Sequence, residues 1–369
     1  MTSASARRAR GSDNSIRPTL LKTGLGAGLL TLALTACQQQ PEPIGRAHQF
    51  SGPTMGTRYR IKVVMDEASS QQLYDIEKAS TTALENVNAK MSNYLEDSEV
   101  SGINAAVGNE PFPVSSDTLE VLQHALEISS TTMGAFDITV APLVDAWGFG
   151  PPGRAPEPPD KQEIDRILER TGWEMLRVDR ASSSVTKDRS DLSLDLSAIA
   201  KGYAVDQVAD ALDALGIDNY MIEVGGEVRT KGLNEQDEPW RIGIERPMPG
   251  GDQAIELIVP MSNSSMATSG DYRNYYEIDG ERISHTIDPR SGYPITHSVA
   301  SVTVVGPLCV RADAYATALL VLGPEGFDLA EELGLAAYFL QRDKENVFVG
   351  RMTTAFKQIL ESGESIQID

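Results

Sequence analysis

The run from Leu192 to Val224 constrains the fold more than any other part of the chain. Leu192–Leu196 reads as a strand and feeds an amphipathic helix predicted over Ala198–Leu215. Ile199, Val205, Val208, Ala209, Leu212 and Leu215 mark the buried side of that helix, Ser197 supplies an N-cap and Gly216 a stop. Tyr220–Val224 then reads as a buried strand ending in Gly225-Gly226. A strand-helix-strand unit over 192–224 calls for helices packed on a sheet, so the fold class is α+β, with mixed sheets and packed helices.

The flanking segments agree with that class. Arg58–Val64 alternates as a strand behind Phe50–Thr57, whose Met55 reads as a core methionine beside Gly56. Leu73–Met91 and Thr118–Thr132 carry helical apolar spacing, the second with Gly134 as its cap, and a polar loop spans Leu95–Asn104. Met175–Asp179, Ser183–Lys187, Ile242–Ile244 and Ile255–Val259 are short strand-like runs. Lys161–Arg170 reads as a helix, and a last strong one covers Ala312–Leu322, opened by Arg311 and stopped by Gly323. Gly150–Asp160 (GPPGRAPEPPD) is a Pro/Gly-rich break, the best place for an insertion within a body spanning residues 49–369. Tyr275–Ile278 and Arg282–His285 flank Asp279-Gly280, a strong hairpin signal. That hairpin delivers His285 and Thr286 to the turn Asp288-Pro289-Arg290-Ser291-Gly292.

The first 36 residues read as an export signal. Arg7, Arg8, Arg10, Arg17 and Lys22 precede the short apolar run Leu25–Thr35, which ends in Leu34-Thr35-Ala36-Cys37. Small residues before a cysteine resemble a bacterial lipobox, in which Cys37 is acylated and becomes the mature N-terminus. Residues 37–48, beginning QQQPEP after the cysteine, form a polar tether. This places the protein on the periplasmic face of a bacterial membrane, anchored through lipid, with Gln38 favouring the outer membrane. With Cys37 lipidated, Cys309 stands alone as a buried small hydrophobe and no internal disulfide forms. The net charge is −21 for 369 residues, and loss of the basic leader would make it more negative. Such an acidic chain is a poor partner for nucleic acid.

Three features converge on a pyrophosphate and a metal ion. The turn from Asp195 into the helix at Ala198 offers free N–H groups and a positive dipole end, with Lys201 in the first turn and Gly202 beside it. Asp313 and Thr317, spaced i,i+4, put a carboxylate and a hydroxyl on one helical face as hard oxygen donors for Mg²⁺. Glycines at strand ends (Gly225-Gly226, Gly270, Gly292) let backbone approach a ligand. Each feature also has an ordinary reading: a capped helix with a surface lysine, a helix aspartate near an N-terminus, a polar turn. GxGxxG after a strand, a P-loop, a zinc-like Cys/His spacing and a serine-hydrolase elbow are all missing.

Eight segments in order resemble the FAD:protein FMN transferase family, the ApbE flavin transferase lipoproteins. They are Met55-Gly56-Thr57, Ser92-Asn93-Tyr94, Gly134-Ala135-Phe136-Asp137, Asp195–Asp206 (DLSAIAKGYAVD), Glu223–Glu227 (EVGGE), Thr268–Tyr272 (TSGDY), His285–Pro294 and Asp313–Thr317 (DAYAT). The resemblance implies a T-fold-like architecture and FAD contacts from Met55, Tyr94, Ala135, Phe136, Asp137, Asp195, Lys201, Gly226 and the backbone at Thr286. It implies Mg²⁺ ligands at the Asp313 carboxylate, the Thr317 hydroxyl and the Ala198 carbonyl. Thr286 departs from the aliphatic residue more frequent after the histidine, a change that a backbone contact tolerates.

The implied activity is Mg²⁺-dependent transfer of FMN from FAD to a Thr or Ser hydroxyl of an acceptor protein of a membrane or periplasmic redox system, releasing AMP. His285 is the expected general base, because a free imidazole pKa of roughly 6.5 leaves it neutral at working pH. Lys201 is expected to stabilise phosphate charge. Asp288 joins the expected catalytic set, with anchoring of its turn or orientation of Arg290 as its more natural task. Two other readings stay open: an FAD pyrophosphatase giving FMN and AMP, and a non-catalytic periplasmic flavin-binding lipoprotein.

Overall fold

The computed structural model describes residues 45–151, 158–247, 253–271, 274–278, 281–345 and 347–362. The leader, Cys37 and the start of the tether lie outside the described residues, as do the centre of the Gly150–Asp160 break, Tyr272 and the Asp279-Gly280 turn.

Eight strands form the main sheet: β1 (Arg46–Thr54), β2 (Thr57–Met65), β3 (Tyr220–Val224), β4 (Glu227–Lys231), β5 (Ser264–Gly270), β6 (Val299–Gly306), β7 (Ala336–Arg342) and β8 (Phe348–Met352). They lie side by side in chain order and each neighbouring pair is antiparallel. Four helices matter most for the site: α1 (Ser70–Met91), α2 (Ser116–Thr131), α3 (Ala200–Ala214) and α4 (Cys309–Leu322). α1 packs on α3, α3 on α4, and α4 lies across β5 and β6. α1 starts at a capping box in which Ser69 and Gln72 satisfy each other's backbone N–H groups.

The central strands of the sheet are buried on both faces, and the sequence of β6, VASVTVVG, records this as a largely apolar run. Val302 and Val304 join Ala267, Ala337 and Phe339 in the core beneath the helices. Val305, with Met266, Ala336, Tyr338 and Leu340, enters a second core. That second core is closed by the hairpin Trp240–Pro247/Gln253–Met261 and by the helix Thr354–Ser362, through Ile244, Val259, Met261, Phe356 and Ile359.

Several local expectations are corrected. Leu192–Leu196 is extended but pairs with no strand, so the predicted strand-helix-strand unit is a helix and a strand preceded by a buried peptide. The alternation of Leu192, Leu194 and Leu196 reflects full burial. The Leu194 carbonyl accepts from Asn93 Nδ2 (3.1 Å) and Asn104 Nδ2 (3.0 Å), and its N–H donates to Asn104 Oδ1 (2.7 Å). Side-chain amides thus replace a ladder. Ser197 is not the N-cap: Ile199 holds that place without a capping side chain, and the Ser197 N–H turns back to Asp195 Oδ1 at 2.8 Å. The segment read as a polar loop contains a short helix, Glu99–Ala105, capped by Ser98. Met55, expected as a core methionine, does pack half-buried against the larger core, but it does so from a turn. With φ of 47° for Met55 and 71° for Gly56, these two form the tight turn between β1 and β2. Tyr275–Ile278 does pair with Glu281–Ser284, in the register a two-residue turn requires.

Candidate active site

The site grows from the place where α3 and α4 cross. A Cβ on Gly202 would lie 2.4 Å from the Cys309 carbonyl oxygen and 2.8 Å from Asp313 Cβ, so glycine here lets the two helices touch. The contact brings the Asp313 carboxylate, only 2% exposed, onto the first turn of α3. Gly202 sits in the first turn of α3, before the first helical bond (Tyr203 N–H to the Ile199 carbonyl, 3.1 Å), so its N–H has no acceptor within the helix. It donates instead to Asp313 Oδ2 at 3.0 Å.

Lys201 lies beside them. Its Nζ is 2.9 Å from Glu227 Oε1 and 3.5 Å from Asp313 Oδ2. Glu227 opens β4 directly after the tight turn Gly225-Gly226, is 3% exposed, and leaves its Oε2 without a hydrogen-bond partner. Burial pushes the Glu227 pKa up to about 7, against the pull of Lys201 and with a push from Asp313. Burial works against the charge on Lys201, but Asp313 and Glu227 outweigh it and hold its pKa above the ordinary lysine value. Further along α4, Thr317 Oγ1 lies 2.8 Å from Ser269 Oγ at the end of β5. Asp206, on the next turn of α3, fixes the start of α4 by accepting the Cys309 and Val310 N–H groups (3.1 and 2.9 Å) while pairing with Arg229.

The N–H groups expected to be free at the start of α3 are largely used. Ile199 and Ala200 donate to the Leu196 carbonyl and Gly202 to Asp313, so the positive charge on offer is the Lys201 ammonium. Other sequence-predicted residues gather around this point. The Gly225 N–H donates to the Arg58 carbonyl, which ties the Gly225-Gly226 turn to the strand following Met55. At Gly226 φ is 114°, and a Cβ there would meet nothing within 4 Å. Asn93 reaches Leu194, and Tyr94 stands 63% exposed with its pKa raised by partial burial and then by Asp195 and Asp145. Asp195 donates its N–H to the Ile138 carbonyl at 2.7 Å, bringing in the Ala135–Asp137 segment.

Within that segment Ala135 and Phe136 are buried. Asp137 is occupied internally: Oδ1 accepts from the Thr139 N–H and hydroxyl, both at 2.7 Å, and Oδ2 from the Trp173 N–H at 2.9 Å. Burial raises its pKa to about 6 despite those bonds. Asp288 is likewise engaged, as a bidentate partner of Arg290 (2.9 and 2.8 Å), which supports the anchoring role over a catalytic one. The Thr286 N–H bonds to Ser284 Oγ and its carbonyl accepts from Ile295.

His285 emerges just past the Glu281–Ser284 strand, half-buried, with Nδ1 2.9 Å from the Asn274 carbonyl. A carbonyl only accepts, so Nδ1 carries the proton and Nε2 keeps its lone pair. Burial lowers the imidazole pKa; Asn274 and Asp271 pull it back up, while Lys201 and Arg282 push it down. Phe149 lies edge-on to the ring at 6.2 Å and stacks on Tyr276 at 5.1 Å. Asn274, Phe149 and Ser269 were not assigned roles from sequence. Glu227 was visible only as the last letter of a motif, and a glutamate after two glycines would have been the signal.

The oxygen donors at the α3–α4 crossing suit a small hard cation: the Asp313 carboxylate, the Thr317 hydroxyl one turn further along α4, and an unpartnered buried oxygen on Glu227, which shares Lys201 with Asp313. Among the described residues no group of three or more His, Cys, Asp or Glu side chains is gathered as a metal cluster. A magnesium site with one carboxylate and several retained waters needs no such cluster.

The same arrangement of sheet and helices is found in solved flavin transferases. The Vibrio cholerae flavin transferase ApbE matches with a TM-score of 0.77 and 41% identity, over 85% of this chain and 99% of that one. The apo form of Pseudomonas stutzeri flavinyl transferase ApbE gives 0.77 and 38%, over 86% and 98%. A Haemophilus influenzae FAD:protein FMN transferase is 40% identical over 354 residues, 93% of this chain and 99% of that protein. Fold and site thus define the flavin-transferase class of α+β proteins. Residues 55–339 match the ApbE family, and the chain belongs to it.

Proposed function

We propose that this protein transfers FMN from FAD to a Thr or Ser hydroxyl of an acceptor protein. The observation that carries this reading is the buried meeting of Lys201, Glu227 and Asp313 at the α3–α4 crossing, in a chain of the ApbE family. In the reaction the acceptor hydroxyl oxygen bonds to the riboflavin-side phosphorus of FAD. The bond from that phosphorus to the bridging oxygen breaks, and AMP leaves with it. Nε2 of His285 takes the hydroxyl proton, a role suited to a neutral imidazole whose other nitrogen is committed to Asn274. Lys201 neutralises phosphate charge as it grows, and the peptides around Met55, Gly226 and Asp195 hold the dinucleotide in place.

Asp313, Thr317 and the Ala198 carbonyl would hold Mg²⁺. Bound there, the ion supplies Lewis-acid neutralisation of the pyrophosphate oxygens. A protein handling a periplasmic redox acceptor fits a lipid anchor at Cys37 following a signal at 1–36, and membrane fractionation of the expressed chain checks that placement. The body would then be residues 49–369, with an insertion near 150–160.

Incubation with FAD, magnesium and a candidate acceptor tests the activity. Flavin fluorescence covalently attached to the acceptor is expected, whereas free FMN with AMP alone would indicate hydrolysis and intact FAD a carrier. Replacing Asp313 with Ala should lower transfer by at least about a hundredfold. An unchanged rate would remove the metal assignment.

A further inference from the structure

Glu227 is a strongly buried acid at the site whose second oxygen is enclosed without a hydrogen-bond partner. Its Oε1 holds Lys201 at 2.9 Å, while the same ammonium reaches Asp313 Oδ2 at the longer 3.5 Å. Asp313 Oδ2 already accepts the Gly202 N–H. Lys201 therefore stands between two carboxylates, and its nearer partner is Glu227.

A divalent cation and a lysine on the same carboxylate would repel one another. One of them must hold a second negative partner for both to remain in a small buried space. Glu227 is placed to be that partner for Lys201. It follows directly on the Gly225-Gly226 turn, whose fixed geometry sets where the first side chain of β4 emerges. A Cβ on Gly225 would come within 2.9 Å of Thr57 Cγ2 and 3.4 Å of Glu227 Oε2, so the turn is pressed between the entry to β2 and the carboxylate.

We propose that Glu227 is a positioning residue that keeps Lys201 off Asp313, so that the lysine and a divalent cation can share one carboxylate-lined pocket. The inference rests on the assignment of that cation to Asp313. Without Glu227 the ammonium would collapse onto Asp313 and compete with the cation directly.

Calorimetric titration of magnesium chloride into the full-length chain, without flavin, tests this. Glu227→Gln should weaken magnesium binding about tenfold while Lys201 is present. In a Lys201→Met background, where no competitor remains, the same change should cost less than about threefold. Equal losses in both backgrounds, or no loss in either, would overturn the proposal, because a general structural defect or a direct field effect does not depend on Lys201. Magnesium binding that survives Asp313→Ala undiminished would instead overturn the cation assignment, and the inference with it.

Discussion

At His285 a single hydrogen bond decides which nitrogen can do chemistry. The Asn274 carbonyl accepts from Nδ1, leaving Nε2 unprotonated, and burial lowers the imidazole pKa. The sign is clear: a lowered histidine pKa keeps the ring neutral to more acidic pH, so a base role puts the acid limb of kcat/KM below pH 6.5. Exchanging His285 for Gln should slow transfer on the order of a hundredfold or more and abolish that limb, with FAD affinity little changed. Stopped-flow transfer measured across pH 5 to 8, beside flavin binding by fluorescence quenching, separates the two effects. Parallel losses of binding and rate would make His285 a ligand contact instead.

The crossing of α3 and α4 is where an element-scale property governs the site. Gly202 faces the Cys309 carbonyl and Asp313 Cβ at distances no methyl group can occupy. Gly202→Ala should therefore push the helices apart and cost about 1–3 kcal/mol of stability. The same displacement moves the Asp313 carboxylate away from the first turn of α3. Chemical denaturation and magnesium titration of this variant should fall together; a stable variant with native magnesium affinity would contradict the close crossing. Much of this was legible in sequence: Lys201, Gly202, Asp313 and Thr317 could be picked out because their spacing on each helix is local. That Gly202 bonds Asp313, and that Glu227 grips Lys201, could not, since these pairings join segments separated by 111 and 26 positions. Leu192–Leu196 misled for a related reason. Alternating leucines report two-sided surroundings, and only the long-range amides of Asn93 and Asn104 reveal that those surroundings lack a partner strand.

Over the whole molecule, the sheet divides its labour between faces. The helices that carry Lys201 and Asp313 lie in the larger core, while the hairpin at 240–261 and the C-terminal helix close the smaller one. The strand Phe348–Met352 and the helix Thr354–Ser362 fall beyond the residues that match the family, which end at 339. Yet Phe356 is fully buried and stacks on Tyr338 at 5.7 Å, and Thr353 accepts the Ala337 N–H while donating to the Leu335 carbonyl. These bonds cover the underside of β7, whose Ala337 and Phe339 reach through to the larger core. Phe356→Ala should accordingly cost about 3–5 kcal/mol in equilibrium unfolding, since it empties a packed position. Below the new transition temperature, FMN transfer should proceed at the original rate, because Phe356 touches none of the residues around Lys201. A loss of transfer in a still-folded variant would mean that the second face does more than support the sheet.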